Sequence, residues 1–138
     1  DPEFELFPPH CVAGTPGQQR IAATADPASL VIPQDAQTAP DLAGHRSVVL
    51  EKTVFDMFAN PQTEAVLKHF GAEHYVVFGV ATDYCVKAAA LGLRQRGYHV
   101  TVVSDAIKAV TPEGEAATLK EFAAAGIVMR PAAEIIGG

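Results

Sequence analysis

The sequence predicts an α/β fold in which a mainly parallel β-sheet lies between two layers of helices. Three observations predict it. After residue 46, continuous apolar runs such as Tyr75-Val76-Val77-Phe78 alternate with helical stretches of about ten residues or more. Such runs read as strands buried on both faces, and the alternation reads as right-handed strand-to-strand crossovers. Gly71, Gly97 and Gly126 stand directly after the helical stretches, where a left-handed residue ends a helix. At 138 residues, 49% hydrophobic and 19% charged, the chain suffices for one domain with a core and is too short for two.

The elements follow in order within one domain spanning residues 1–138. The first 45 residues hold seven of the ten prolines and three of the eleven glycines, with only short apolar runs such as Leu30-Val31-Ile32, so they read mostly as loop. A connection this long is uncommon inside a compact domain, so it either carries function or packs against something outside this chain. Residues 47–52 form a strand. Residues 61–70 form a helix, with Thr63 near its start and Gly71 as its stop. A strand at 75–79, a helix at 83–96 closed by Gly97, and a strand at 99–103 come next. A helix at 113–125, stopped by Gly126, leads to a last strand at 127–129. In parallel sheets of this kind ligands bind beyond the carboxyl ends of the strands.

Composition narrows the partners. Sixteen acidic against ten basic residues give a net charge of −6, which argues against the basic stripe of a nucleic-acid binder. No run approaches the roughly 18 apolar residues of a membrane span, and the acidic start is unlike a secretion signal. Two cysteines, Cys11 and Cys85, are too few for a secreted disulfide framework, although a single bridge between them stays open. The expectation is a cytoplasmic protein with a small-molecule partner, bound to neither nucleic acid nor membrane.

The strongest local signal is Gly79-Val80-Ala81-Thr82-Asp83-Tyr84-Cys85-Val86, which passes from a buried strand through a tight turn into a helix. Thr82 is the candidate N-cap. Amide groups and the positive end of the helix dipole then surround Cys85, favour its thiolate, and offer donors to an oxyanion. Two readings of Cys85 stand: a nucleophile, or the first buried residue of a face formed with Ala88, Ala89, Gly92 and Leu93, since free cysteine is often a core residue. Lys52 bears on the choice. It falls at the carboxyl end of its strand, on the edge from which the Cys85 turn emerges, and if the two strands are neighbours about 4.8 Å apart its ammonium reaches the thiol. The plain alternative is a strand-end lysine in solvent. Phe55, Phe58 and Tyr84 are candidates to wall a flat pocket, with core packing equally open for the phenylalanines. Asp105 reads as a turn or cap residue. In Phe7-Pro8-Pro9-His10-Cys11 the prolines stiffen the approach to His10. No H-x-H, D-x-H or C-x-x-C spacing accompanies that histidine to make a metal site.

Four blocks carry a resemblance, in order: Phe-Pro-Pro-His-Cys-Val-Ala-Gly-Thr-Pro-Gly at 7–17, Glu-Lys-Thr-Val-Phe-Asp-Met-Phe at 51–58, Gly-Val-Ala-Thr-Asp-Tyr-Cys-Val at 79–86 and Val-Val-Ser-Asp-Ala at 102–106. Together they resemble the nicotinamidase/isochorismatase-like cysteine hydrolases over residues 7–128. The resemblance implies a three-layer α-β-α domain of Rossmann-like topology and an Asp–Lys–Cys triad, of which Lys52 and Cys85 are present. It implies a cis peptide at Val80–Ala81 that turns the N–H groups of Ala81 and Cys85 toward an oxyanion. It further implies a homo-oligomer, dimeric or tetrameric, and a divalent metal (zinc, iron or manganese) held in part by His10 if upstream ligands exist. The Val-Asp-x-Gln type motif that supplies the family's aspartate has no match here. The expectation is therefore that these residues are the C-terminal part of such a domain, N-terminally incomplete.

The activity expected is hydrolysis of a small amide such as nicotinamide to the acid and ammonia, through Cys85. Two alternatives stay open: an isochorismatase-type vinyl-ether hydrolase that does not need the thiol, and a catalytically silent binding or scaffold protein that lacks the aspartate.

Overall fold

Among the described residues every strand pairing is parallel, and from β2 onward helices link successive strands, so the α/β expectation is met. The computed structural model describes residues 2–137. Strands β1 (Leu30–Ile32) and β2 (Val48–Leu50) pair with Leu30 opposite Val48 and Ile32 opposite Leu50. Helix α1 (Thr63–Phe70) then leads to β3 (His74–Val80). Gly71, at φ +61°, ends α1 and accepts the left-handed turn that a β-carbon would oppose. Beyond β3 come α2 (Lys87–Gln95), β4 (His99–Lys108), α3 (Pro112–Ala124), β5 (Val128–Arg130) and α4 (Ala132–Ile136). Strand β4 lies between β3 and β5.

Two differences from the expected layout matter for the site. The strands fall into two separately hydrogen-bonded sheets, β1-β2 and β3-β4-β5, so β2 and β3 are not paired neighbours. The leading 45 residues also contain more order than proline counting suggests. They hold β1 and two short 3-10 turns, Pro2–Glu5 and Pro16–Gln18.

Apolar periodicity places the main core. Tyr75 and Val77 of β3 pack on the side that holds Val100 and Val102 of β4, Ala90 and Leu93 of α2, and Phe122 of α3. Ala90, Val102 and Phe122 are fully buried. The alternate residues of β3 point the other way, and Val76, Phe78 and Val80 are 42%, 63% and 71% exposed. A smaller core of Ile32, Leu42 and Val66 joins β1 to α1. Strand β4 outruns the predicted end at Val103. Val77 pairs with Val102 but Gly79 with Ile107, so β4 bulges in between. The bulge presents Asp105, whose Oδ1 accepts the Ala132 N–H at 2.8 Å, at the start of α4.

Gly92 shows how closely the layers approach. A β-carbon there would lie 2.5 Å from Cε2 of Phe58, whose ring is held on another side by the Arg96 guanidinium, 3.5 Å from the centroid. Arg96 is itself fixed by Glu64 at 2.5 Å and the Gly92 carbonyl at 3.0 Å. Alanine for glycine inside a helix gains about 1 kcal/mol of propensity, whereas overpacking a fitted contact costs about 1–3 kcal/mol. Gly92→Ala should therefore lower the urea midpoint at unchanged slope. An unchanged or raised midpoint would mean that Phe58 swings aside freely.

Candidate active site

The site lies where the chain leaves β2 and where it leaves β3. The β2 side is organised by Asn60, 1% exposed, whose Nδ2 donates to the carbonyls of Ile32 (3.3 Å), Pro33 (3.1 Å) and Glu51 (2.8 Å). One buried amide thus ties together the ends of β1 and β2 immediately before Lys52. From there Lys52 Nζ donates to the Val54 carbonyl at 2.9 Å and lies 3.3 Å from Cys85 Sγ. The lysine is not the solvated strand end of the plainer reading. Nor does the contact come from neighbouring strands: β2 and β3 are not paired, and the long side chain itself bridges to the sulfur.

On the β3 side the Val80–Ala81 peptide is cis. The next residues do not enter an α-helix directly as expected. Thr82–Val86 form one π-helical turn, with Ala81 at the capping position, and α2 follows from Lys87. Tyr84 N–H and Val86 N–H both reach the Ala81 carbonyl, at 3.2 and 3.1 Å. Thr82 is not the cap. Its side chain is fully buried, and Oγ1 has no hydrogen-bond partner among the described residues. The buried face of this stretch is Val86, Ala90 and Leu93, one position away from the face that would have sealed Cys85. Cys85 is half-buried.

The thiol opens onto a cavity of about 570 Å³ walled mainly by apolar groups, including Phe7, Phe55, Tyr84, Val80 and Val110. Three rings form one wall. Tyr84 lies 5.2 Å from Phe7 and 4.8 Å from Phe55, and Phe7 meets Phe55 edge-on at 6.2 Å. Such a wall suits a flat ring. Of the three aromatic residues expected here, Phe55 and Tyr84 are in place. Phe58 is not, because its ring is taken up between Gly92 and Arg96. Phe7 replaces it. Its signal was its position at the head of the Pro-Pro-His-Cys block, ahead of two residues that fix its backbone direction.

His10 lines the same cavity. Its Nδ1 lies 2.9 Å from the Pro8 carbonyl, which can only accept, so Nδ1 carries the proton and Nε2 faces Glu3 Oε2 at 3.7 Å. Glu3 is a cavity residue that motif reading passed over, placed by the 3-10 turn Pro2–Glu5. An imidazole nitrogen and a carboxylate suit a divalent metal such as zinc, which takes at least three protein ligands. Among the described residues no group of three or more possible ligands assembles, so these two donors do not make a metal site by themselves. Cys11 is exposed, at φ +48°, and neither it nor Cys85 is in a disulfide, so the bridge left open between them is not formed.

The aspartates are largely committed elsewhere. Asp26, Asp41 and Asp56 each accept a backbone N–H two residues on, from Ala28, Ala43 and Phe58. Asp83 accepts from Val110 and Thr111, and Asp105 from Ala132.

The Isochorismatase domain family model matches residues 2–134. An uncharacterized isochorismatase family protein of Bacillus subtilis is 30% identical over 122 residues, covering 88% of this chain and 61% of that protein. A nicotinamidase of Escherichia coli is 29% identical over 129 residues, covering 90% of this chain and 57% of the enzyme. Among solved structures, a pyrazinamidase of Pyrococcus horikoshii in complex with zinc superposes with a TM-score of 0.65 at 30% identity, covering 91% of this chain and 63% of that one. The chain thus spans about three fifths of the length of the relatives it matches.

The Lys52 ammonium stands within hydrogen-bonding reach of the sulfur, at 3.3 Å, and a hydrogen bond of this kind contributes about 1 kcal/mol. Lys52→Met should therefore slow iodoacetamide alkylation of Cys85 by about fivefold or more. An unchanged rate would show that the ammonium does not act on the thiol.

Proposed function

This chain belongs to the isochorismatase domain family, and from that premise we propose that it hydrolyses a small carboxamide of the nicotinamide kind to the acid and ammonia, with Cys85 as nucleophile. The single observation that supports this most is the 3.3 Å approach of Lys52 Nζ to Cys85 Sγ, at the mouth of a cavity walled by aromatic rings. A structural cysteine needs no cation beside it.

In this reading the planar substrate lies against Phe7, Phe55 and Tyr84 with its amide carbon over Cys85. The Cys85 thiolate, held by Lys52, forms the S–C bond while the carbonyl π pair moves to oxygen, and the N–H groups of Ala81 and Cys85 receive that oxyanion. Collapse re-forms the carbonyl and breaks the C–N bond. The nitrogen leaves as ammonia with the proton that the thiol gave up, and water then adds to the thioester to release the acid and restore the thiol. The proton carrier is a carboxylate from the part of the relatives' length that these 138 residues leave unmatched. The commitment of Asp41, Asp56, Asp83 and Asp105 to backbone amides favours that assignment. His10 and Glu3 would contribute two donors to a divalent metal whose remaining ligands come from the same unmatched part. Bound there, the ion would supply Lewis acidity toward a ring nitrogen or a water.

Cys85→Ala, made in the protein that carries these residues, should abolish ammonia release from nicotinamide while leaving the fold intact by circular dichroism. Iodoacetamide should inactivate the unmodified protein to the same extent. Turnover that survives either treatment would remove the thiol from the reaction and leave an ether-hydrolase or binding role.

A further inference from the structure

We infer that Asp83 is a positioning residue that sets the width of the cavity in front of Cys85 by tying the nucleophile turn to Val110, another residue of the cavity lining. The inference rests on the reading of Cys85 as the reactive group, and it concerns which substrates fit beside that group.

Asp83 stands two residues before Cys85 and directly before Tyr84, within the π turn. Its carboxylate does not point into the cavity. Oδ1 accepts the Val110 N–H at 3.0 Å, and Oδ2 lies 3.4 Å from the Thr111 N–H. The two bonds go to the segment that leaves β4. Pairing between β3 and β4 ends at Val80 with Lys108, so at Val110 the sheet no longer fixes the backbone. Val110 is nevertheless a cavity wall, in company with Val80, Ala81, Tyr84 and Cys85. Its side chain is 51% exposed and takes little anchorage from packing. Hydrogen bonds to an ionised acceptor are stronger than neutral ones, so the Asp83 carboxylate is the main tie that sets how far Val110 stands from the sulfur.

The surrounding residues hold the carboxylate itself in place. Thr111 Oγ1 accepts the Gly114 N–H at 3.0 Å and caps α3. A β-carbon at Gly114 would collide with Asp83 Oδ2 and lie 2.9 Å from Thr111 Oγ1. The absent side chain at 114 is therefore what lets the first turn of α3 close over Asp83. Three elements meet on one carboxylate: the turn that carries the thiol, the end of β4 and the start of α3. A residue that merely stabilised the fold would, when lost, affect every ligand of Cys85 alike. A residue that spaces Val110 from the thiol affects ligands according to their bulk.

Size selectivity at Cys85 separates these roles without requiring turnover. The rates of alkylation by iodoacetamide and by the bulkier iodoacetanilide are followed on the Cys85 peptide by mass spectrometry, in the unmodified chain, in Asp83→Ala and in Gly114→Ala. Released from its tie, Val110 should move away from the thiol. The ratio of the iodoacetanilide rate to the iodoacetamide rate should then rise at least threefold in Asp83→Ala, with the iodoacetamide rate itself within twofold. Gly114→Ala displaces the carboxylate without altering a residue of the cavity lining and should raise the ratio in the same direction, and it provides the test if Asp83→Ala does not fold. A ratio unchanged in the folded variants, or a parallel fall in both rates, would overturn the inference. Cys85 reacting no faster than Cys11 in the unmodified chain would instead count against Cys85 as nucleophile, and the ratio would still report on Asp83.

Discussion

The contact between Lys52 and Cys85 is the constraint around which the rest of the site is arranged. It joins residues 33 positions apart, at the ends of strands that belong to different sheets. Among the described residues no backbone hydrogen bond between those sheets holds them in register, so the rim depends on side chains. Asn60 gathers the ends of β1 and β2 through three carbonyls, and Asp83 gathers the π turn, β4 and α3. Lys52 spans between the two groups. Buried or half-buried polar side chains with several partners fix geometry more sharply than apolar packing does, because each lost bond leaves a donor or acceptor unsatisfied.

Much of this was legible in the sequence because it depends on local rules. Continuous apolar runs marked β3 and the start of β4, and glycines at 71, 97 and 126 closed the preceding helical segments, all three with positive φ. The strand-to-turn position of Cys85 and the strand-end position of Lys52 follow from the same periodicity, without reference to the distance between them. Asp105 is not the local turn or cap residue that its flanking residues suggest: it lies within β4, at the bulge, and accepts the N–H of Ala132, which is far along the chain.

What escaped depends on longer-range or finer geometry. No local pattern tells a π turn from the first turn of an α-helix, and that one-residue difference moves the buried face from Cys85 to Val86, Ala90 and Leu93. Phe55 and Phe58 are equally aromatic and three residues apart. Only the missing side chain at Gly92 and the guanidinium of Arg96 decide that Phe58 turns toward α2. Glu3 belongs to no motif and enters the cavity through the fold of the leading segment. The pairing of strands into two sheets was equally out of reach, since apolar runs name strands but not their neighbours.

The exposed side of β3 has a consequence for how the molecule behaves in company. Among the described residues this strand has a single hydrogen-bonded neighbour, β4, and it shows Val76, Phe78 and Val80 outward in alternation. A free row of amides and carbonyls beside a ladder of greasy side chains is the template from which intermolecular β-pairing grows. Colloidal behaviour therefore depends on whatever shields that margin. Solubility should be most sensitive at the strand that leads into the Cys85 turn.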